Sequence, residues 1–133
     1  MSRLTWLEYG MELARTASLR SEDPYVQVGC CILRPDNSIA SLGYNGAPPG
    51  VNIDWSDRDD RRKRVIHAET NALRFVKPGE GDRMFVTLMP CSDCLKNAAS
   101  YGINKIFYDK VYNFDTSAKD LAQEFRITLQ QIT

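Results

Sequence analysis

Two short stretches of this chain carry side chains that could do chemistry at a metal ion. They are His67-Ala68-Glu69, opening the run Ile66–Leu73, and Pro90-Cys91-Ser92-Asp93-Cys94. Two cysteines three apart at the start of a helix bring both sulfurs to one point, which suits a tetrahedral ion. The partial positive charge at a helix N-terminus also lowers a thiol's pKa, and zinc binds the thiolate. His67 is the one histidine in the sequence, so it is the one imidazole available as a third ligand. Three protein ligands leave a fourth position for water, as catalytic zinc requires and structural zinc does not. Glu69 lies next to that position in sequence, where a carboxylate can move protons without ligating. The candidate metal ligands are therefore His67, Cys91 and Cys94, the candidate catalytic residue is Glu69, and the implied cofactor is one Zn²⁺ per subunit.

Each half alone is a weak signal. A single CxxC also serves as a redox pair or as half of a zinc ribbon. The ribbon needs a second CxxC, which the sequence lacks. The redox pair is expected after the first strand of its fold, and it gives His67 and Glu69 no role. In this order, with a strand pattern just before Pro90, the two halves select catalytic zinc.

The elements that must position these groups fit one domain over 1–133, since 133 residues suffice for a single core. No apolar run approaches the length of a membrane span, and no charged-then-apolar leader opens the chain. The 17 basic and 17 acidic residues cancel, which leaves no general field to attract nucleic acid. Cys30 and Cys31 are adjacent in an apparent strand, so their side chains point to opposite faces and do not readily bridge. The expected setting is a reducing, intracellular one, the cytoplasm, or a host's cytoplasm for a viral source.

Thr5-Trp6-Leu7-Glu8 is a capping-box pattern, and Leu7, Met11, Ala14 and Ala17 follow at helical spacing to about Arg20. Val26–Leu33 reads as a buried strand, Pro35-Asp36-Asn37 as a turn, and Ser38–Tyr44 as the returning strand of a hairpin. Asn45 to about Val65 has no clear periodicity and reads as a long loop whose charged run, Asp57–Arg64, is solvated surface. A helix is expected from near Ile66, with His67 and Glu69 in its first turn, and another over Cys91–Tyr101 with Gly102 as its stop. Met84–Leu88 and Ile103–Tyr108 read as strands, Ala118–Phe125 as a last helix, and Arg126–Leu129 as a weak final strand. This order implies a three-layer α-β-α fold with a five-stranded mixed sheet and helices on both faces. Both ligand segments would then be strand-to-helix junctions of parallel neighbours, at the carboxyl ends of the strands.

H-x-E and P-C-x-x-C in this order are the mark of zinc-dependent base deaminases. The sequence resembles the cytidine deaminase superfamily and, within it, the deoxycytidylate (dCMP) deaminases. The resemblance covers roughly Arg20 to Tyr112 and rests on several blocks. These are Arg20-Ser21-x-Asp23-Pro24, Gln27–Cys30, Gly43-Tyr44-Asn45-Gly46-x-Pro48-x-Gly50, the His67-Ala68-Glu69-x-Asn71-Ala72 helix, and Thr87-Leu88-x-Pro90-Cys91-x-x-Cys94. The zinc blocks belong to the whole superfamily, whereas the first and third blocks point to dCMP. Free-cytidine deaminases are less similar, since they typically carry cysteine in place of the ligand histidine.

What the resemblance implies is a cytidine deaminase-like fold and hydrolysis of dCMP to dUMP and ammonia, supplying dUMP for thymidylate synthesis. By analogy Glu69 shuttles the proton, the Ala68 N–H meets the base O2, and the Met89 carbonyl accepts from the amine. Asn45 resembles the asparagine that fixes the sugar, and Tyr112 a tyrosine that packs against the nucleotide. Arg20, with Ser21 beside it, is the candidate for the phosphate; its alternative is a helix C-terminal charge complementing the dipole. The Arg61–Arg64 cluster, with Asp57, Asp59 and Asp60 alongside, is left outside the site as solvated surface. The resemblance further implies a homohexamer activated by dCTP and inhibited by dTTP with Mg²⁺. The regulatory nucleotide would contact Gly43, Tyr44, Asn45, Gly46, Pro48 and Gly50, which a plain structural turn would also use. The chain departs from the pattern at Val51, and it has no spare His or Cys pair for the second zinc of larger relatives. Nucleotides are the expected partners, with neither nucleic acid nor membrane. Two other functions stay open: a tRNA adenosine deaminase, which shares both zinc motifs, and a non-catalytic nucleotide sensor of the same fold.

Overall fold

In the computed structural model, which describes residues 2–112 and 115–133, the chain runs through ten elements. These are α1 (Trp6–Ser18), β1 (Gly29–Leu33), β2 (Ile39–Tyr44), α2 (Arg58–Arg64), α3 (Ala68–Leu73), β3 (Arg83–Leu88), α4 (Ser92–Ser100), β4 (Lys105–Lys110), α5 (Ala118–Glu124) and β5 (Thr128–Gln131). The strands form one sheet in the order β2-β1-β3-β4-β5. β1 is antiparallel to both its neighbours, and β3, β4 and β5 are parallel. The mixed sheet and three-layer arrangement are those the sequence implies.

Local chemistry explains each start. The Thr5 hydroxyl accepts from the Glu8 N–H at 3.1 Å and the Thr5 N–H donates to the Glu8 carboxylate at 2.8 Å, closing the capping box of α1. β1 is buried at all five positions because it is the second strand of the sheet and is covered on both faces. Its alternation splits the core. Cys31 and Leu33 pack with Met11, Ala14, Phe85 and Phe107 beneath α1, while Cys30 and Ile32 pack beneath the other helices with Ala68, Ala72, Leu95 and Ala98. The four cysteines are free, and Cys30 and Cys31 lie in different layers as expected.

Two glycines let helices ride directly on strands. A Cβ on Gly29 would stand 1.8 Å from the Ala14 carbonyl oxygen, and one on Gly43 would stand 2.5 Å from the Ala72 nitrogen. The second contact matters for the site, because it presses α3, which follows His67, against β2.

Four expectations need correction. The first strand starts at Gly29 and not at Val26, because the Val28 N–H and the Val26 carbonyl are bound by the Asn45 side chain instead of a neighbouring strand. Asp57–Arg64 is not loop: Asp57 accepts from the Asp59 and Asp60 N–H groups and starts α2. That helix buries no residue, so it has no apolar period to be read. The last strand begins at Thr128, since Arg126 takes φ 58° and the Ile127 N–H turns back to the Ala122 carbonyl at 2.8 Å. Finally, the two ligand segments do not follow neighbouring parallel strands. β1 lies between β2 and β3 and runs opposite to both, so β2 and β3 share a direction across it.

Candidate metal centre and active-site cleft

His67 and Cys91 occupy the N-cap positions of α3 and α4. Both have extended backbone, φ −68° and ψ 153° for His67, φ −77° and ψ 173° for Cys91. Neither side chain caps its helix, which frees both to turn toward a common point. Cys94, one turn into α4, reaches the same point from the buried side. The three ligand atoms lie within 4.8 Å of one another, and among the described residues they are the group of His, Cys and acidic side chains so placed.

The distances test whether the set fits zinc. His67 Nδ1 is 3.3 Å from Cys94 Sγ and 3.7 Å from Cys91 Sγ. Tetrahedral bonds of about 2.0 Å to nitrogen and about 2.3 Å to sulfur put those atoms about 3.5 Å apart. The donor set fits. The site is closed behind Cys94, which is buried, and open toward His67, which is exposed. One open side is what a fourth, exchangeable position requires.

Electrostatics agree with a thiolate site. The hydrogen bond with Cys94, then His67, lower the Cys91 thiol to about 4. The same bond pushes Cys94 up, with burial and the nearby Glu69 adding to it. The two sulfurs thus share one proton, which a divalent cation replaces when it binds them. His67 is raised chiefly by its contact with Cys91. Glu69 is 4% exposed, and burial holds its carboxyl above the ordinary range. Its own backbone N–H, His67 and Cys94 act in the opposite direction.

A cleft of ≈ 180 Å³ opens beside these groups. It is lined by His67, Ala68, Glu69 and Cys91 together with Met89, Tyr112, Asp23 and Asn45. The structure therefore brings together the three ligands, Glu69, and the four expected substrate positions Asn45, Ala68, Met89 and Tyr112. Met89 is fixed by its N–H, which donates to the Lys110 carbonyl at 2.8 Å. Arg20 and Ser21 are placed elsewhere. Arg20 is exposed and outside the lining. Ser21 is buried, and its hydroxyl donates to the Asn45 carbonyl at 2.9 Å.

Gly43, Tyr44 and Gly46 face a second depression, with Asn71, Arg74 and Phe75 among its walls, and Pro48 and Gly50 lie in the adjoining loop. Gly46 also pairs with Ile66, N–H to carbonyl in both directions, which ties this segment to the residue before His67.

Two residues escaped the sequence reading. Asp23 lines the cleft and holds its wall: one carboxylate oxygen accepts from the Tyr25 N–H at 2.8 Å and the Val26 N–H at 3.2 Å, the other from Asn45 Nδ2 at 3.3 Å. Its place before Pro24 in the Arg20–Pro24 block was the available signal. Asp115 accepts from the Ser92 N–H at 2.7 Å and the Ser92 hydroxyl at 2.8 Å, so it caps the helix of the two cysteines from another loop. Nothing local in the sequence marks that contact.

Comparison with known proteins agrees with this geometry. Residues 4–110 match the family described as the cytidine and deoxycytidylate deaminase zinc-binding region. ComE operon protein 2 of Bacillus subtilis is 33% identical over 99% of this chain and 74% of that protein. Deoxycytidylate deaminase of Mus musculus is 34% identical over 98% of this chain and 81% of that protein. Among solved structures, dCMP deaminase from the cyanophage S-TIM5 in complex with dCMP and dUMP superposes with a TM-score of 0.84 at 27% identity, covering 99% of this chain and all of that one.

Proposed function

The chain belongs to the cytidine and deoxycytidylate deaminase zinc-binding family, and from that premise we propose that it hydrolyses dCMP to dUMP and ammonia. The observation that carries this reading is the joining of a His-Cys-Cys set, a buried carboxylate and the positions expected to meet the nucleotide at one cleft. Zinc bound there supplies a Lewis acid that lowers the pKa of water from about 15.7 to around 7.

This chain's own residues do the rest. Glu69 takes one proton from the attacking water and gives it to N3 of the cytosine, then carries the remaining hydroxyl proton at C4 to the amine, which leaves as ammonia as the C4 carbonyl forms. The Ala68 N–H, first in α3, donates to O2, and the Met89 carbonyl accepts from the amine, so the base is oriented by backbone. Tyr112 packs against the nucleotide. Asn45 meets the sugar, on a wall that Asp23 and Ser21 hold in place.

Regulation fits the second depression. dCTP and dTTP, with Mg²⁺, would bind at Gly43–Gly50 where subunits of a homohexamer meet. The exposed Leu42, Tyr44 and Phe75 with Arg74 beside them support this, being apolar surface next to a cation. No helix of the described residues is long and apolar enough to cross a membrane. The free cysteines suit the reducing cytoplasm we assign to one domain spanning 1–133.

The test is a panel of substrates followed by ammonia release: dCMP, CMP, deoxycytidine and a tRNA anticodon stem. Turnover of dCMP above the others is expected. Turnover of the RNA alone would replace the substrate assignment, and failure of all four would favour the sensor. Light scattering with and without dCTP or dTTP tests the assembly and its effectors.

A further inference from the structure

We propose that Arg61 receives the 5′-phosphate of the nucleotide and that the ring of Tyr25 holds it ready at the mouth of the cleft. The inference rests on the dCMP reading above.

At ≈ 180 Å³ the cleft is smaller than the roughly 300–1,000 Å³ that encloses a drug-sized ligand. With the base at the zinc ligands, the far end of a nucleotide therefore stays at the rim. The described residues lining the cleft include the carboxylates of Asp23 and Glu69 and neither lysine nor arginine. A phosphate dianion near Asp23 needs a cation from outside the lining.

Arg61 is such a cation. Its guanidinium lies 4.3 Å from the centre of the Tyr25 ring, and Nη1 donates to the Trp55 carbonyl at 2.6 Å. Both partners of the stack are tied through the backbone to residues that line the cleft. Tyr25 precedes Val26, which lines the cleft, and the Arg61 carbonyl accepts from the N–H of Val65, which lines it too. Asp23 fixes the Tyr25 side by accepting from the Tyr25 and Val26 N–H groups, which also offsets part of its own charge.

Nearby cations are held differently. Arg64 pairs with Asp60, and Arg15 with Glu12 and Asp109, whereas among the described residues Arg58, Arg61, Arg62 and Lys63 pair with no carboxylate and, of these four, Arg61 is the one stacked on a ring. A guanidinium stacked on a ring and anchored through one nitrogen keeps its other donors for bidentate contact with phosphate. Little side-chain freedom is then lost on binding. Lys110 is the competing donor, exposed in a shallow depression that Tyr25, Val26 and Leu88 also line.

The experiment compares the zinc-loaded parent with Arg61→Gln, Arg61→Lys, Tyr25→Leu and Lys110→Ala. It measures kcat and KM for dCMP, and competitive inhibition of dCMP turnover by inorganic phosphate and by deoxyuridine. α2 buries no residue, so the Arg61 variants keep the fold, which circular dichroism and zinc content check. Arg61→Gln should raise KM for dCMP by about tenfold or more and weaken phosphate inhibition comparably. It should leave kcat within about twofold and deoxyuridine inhibition unchanged. Arg61→Lys should fall between, Tyr25→Leu should shift KM in the same direction, and Lys110→Ala should match the parent. An unchanged KM in Arg61→Gln, an equal loss of phosphate and deoxyuridine binding, or a KM effect carried by Lys110→Ala instead would overturn the proposal. Failure of the parent to turn over dCMP would overturn the substrate reading and this inference with it, whereas the variant outcomes bear on Arg61 alone.

Discussion

At the scale of single residues, what would separate this cleft from a zinc scaffold is the proton shuttle we assign to Glu69. It is 4% exposed, and its carboxylate has the Cys94 thiol as a neighbour. Burying a charge-bearing side chain costs stability unless it is paired, so a scaffold gains nothing from one here. Glu69→Gln keeps the shape and hydrogen-bonding capacity of the side chain but cannot carry the proton. It should retain zinc by elemental analysis while kcat falls by about 10³ or more. A variant as active as the parent would remove Glu69 from the reaction. The pair and its partners were legible as residue types because zinc chemistry admits few: one imidazole, two thiols three apart, one carboxylate two residues from the imidazole. Asp23 was not legible in that way, since its work is to accept backbone N–H groups, and any loop aspartate offers the same atoms.

At the scale of elements, the metal set exists because two helices begin at one place. α3 is held against β2 by the missing side chain of Gly43. Gly43→Ala puts a methyl group 2.5 Å from the Ala72 nitrogen, and α3 must move away. Chemical denaturation should show a loss of about 2 kcal/mol, with reduced kcat because His67 and Glu69 move with the helix. α4 is held differently, by Asp115, whose hydrogen bonds from Ser92 and Ser117 lower its carboxyl from 3.8 to about 2. A carboxyl lowered in the folded state contributes stability above its unfolded value and loses it as pH falls. The difference in denaturation midpoint between the parent and Asp115→Asn should therefore be full at pH 5 to 7. It should shrink below 3.8 and vanish near 2. A difference independent of pH would mean that the cap acts through shape and not through charge. Helix α2 shows the opposite limit of legibility, because a helix that buries no residue leaves no apolar stripe to find.

At the scale of the molecule, zinc and fold are one equilibrium, since the ligands converge only when α3 and α4 are docked on the sheet. A ligand at 1,000 times its Kd adds about 4.1 kcal/mol, and a domain of this size gains roughly 4 °C per kcal/mol, between the values for smaller and larger domains. Chelation should thus abolish turnover and lower Tm by on the order of 10 °C, both restored by added zinc. Cys91→Ala should show the lowered Tm without chelator, and a chelator-insensitive parent would refute the metal set. The sequence by itself determined the donor types, the α-β-α alternation and the family. Those are written in local spacing, where helix, strand and ligand periods each leave a pattern. Only the tertiary structure decided that β1 separates the two junctions, that α2 exists, that Asp23 lines the cleft, that Asp115 caps α4, and that Arg61 stacks on Tyr25. Those contacts join residues that are distant along the chain or exposed on it, and neither kind carries a period that the chain alone can display.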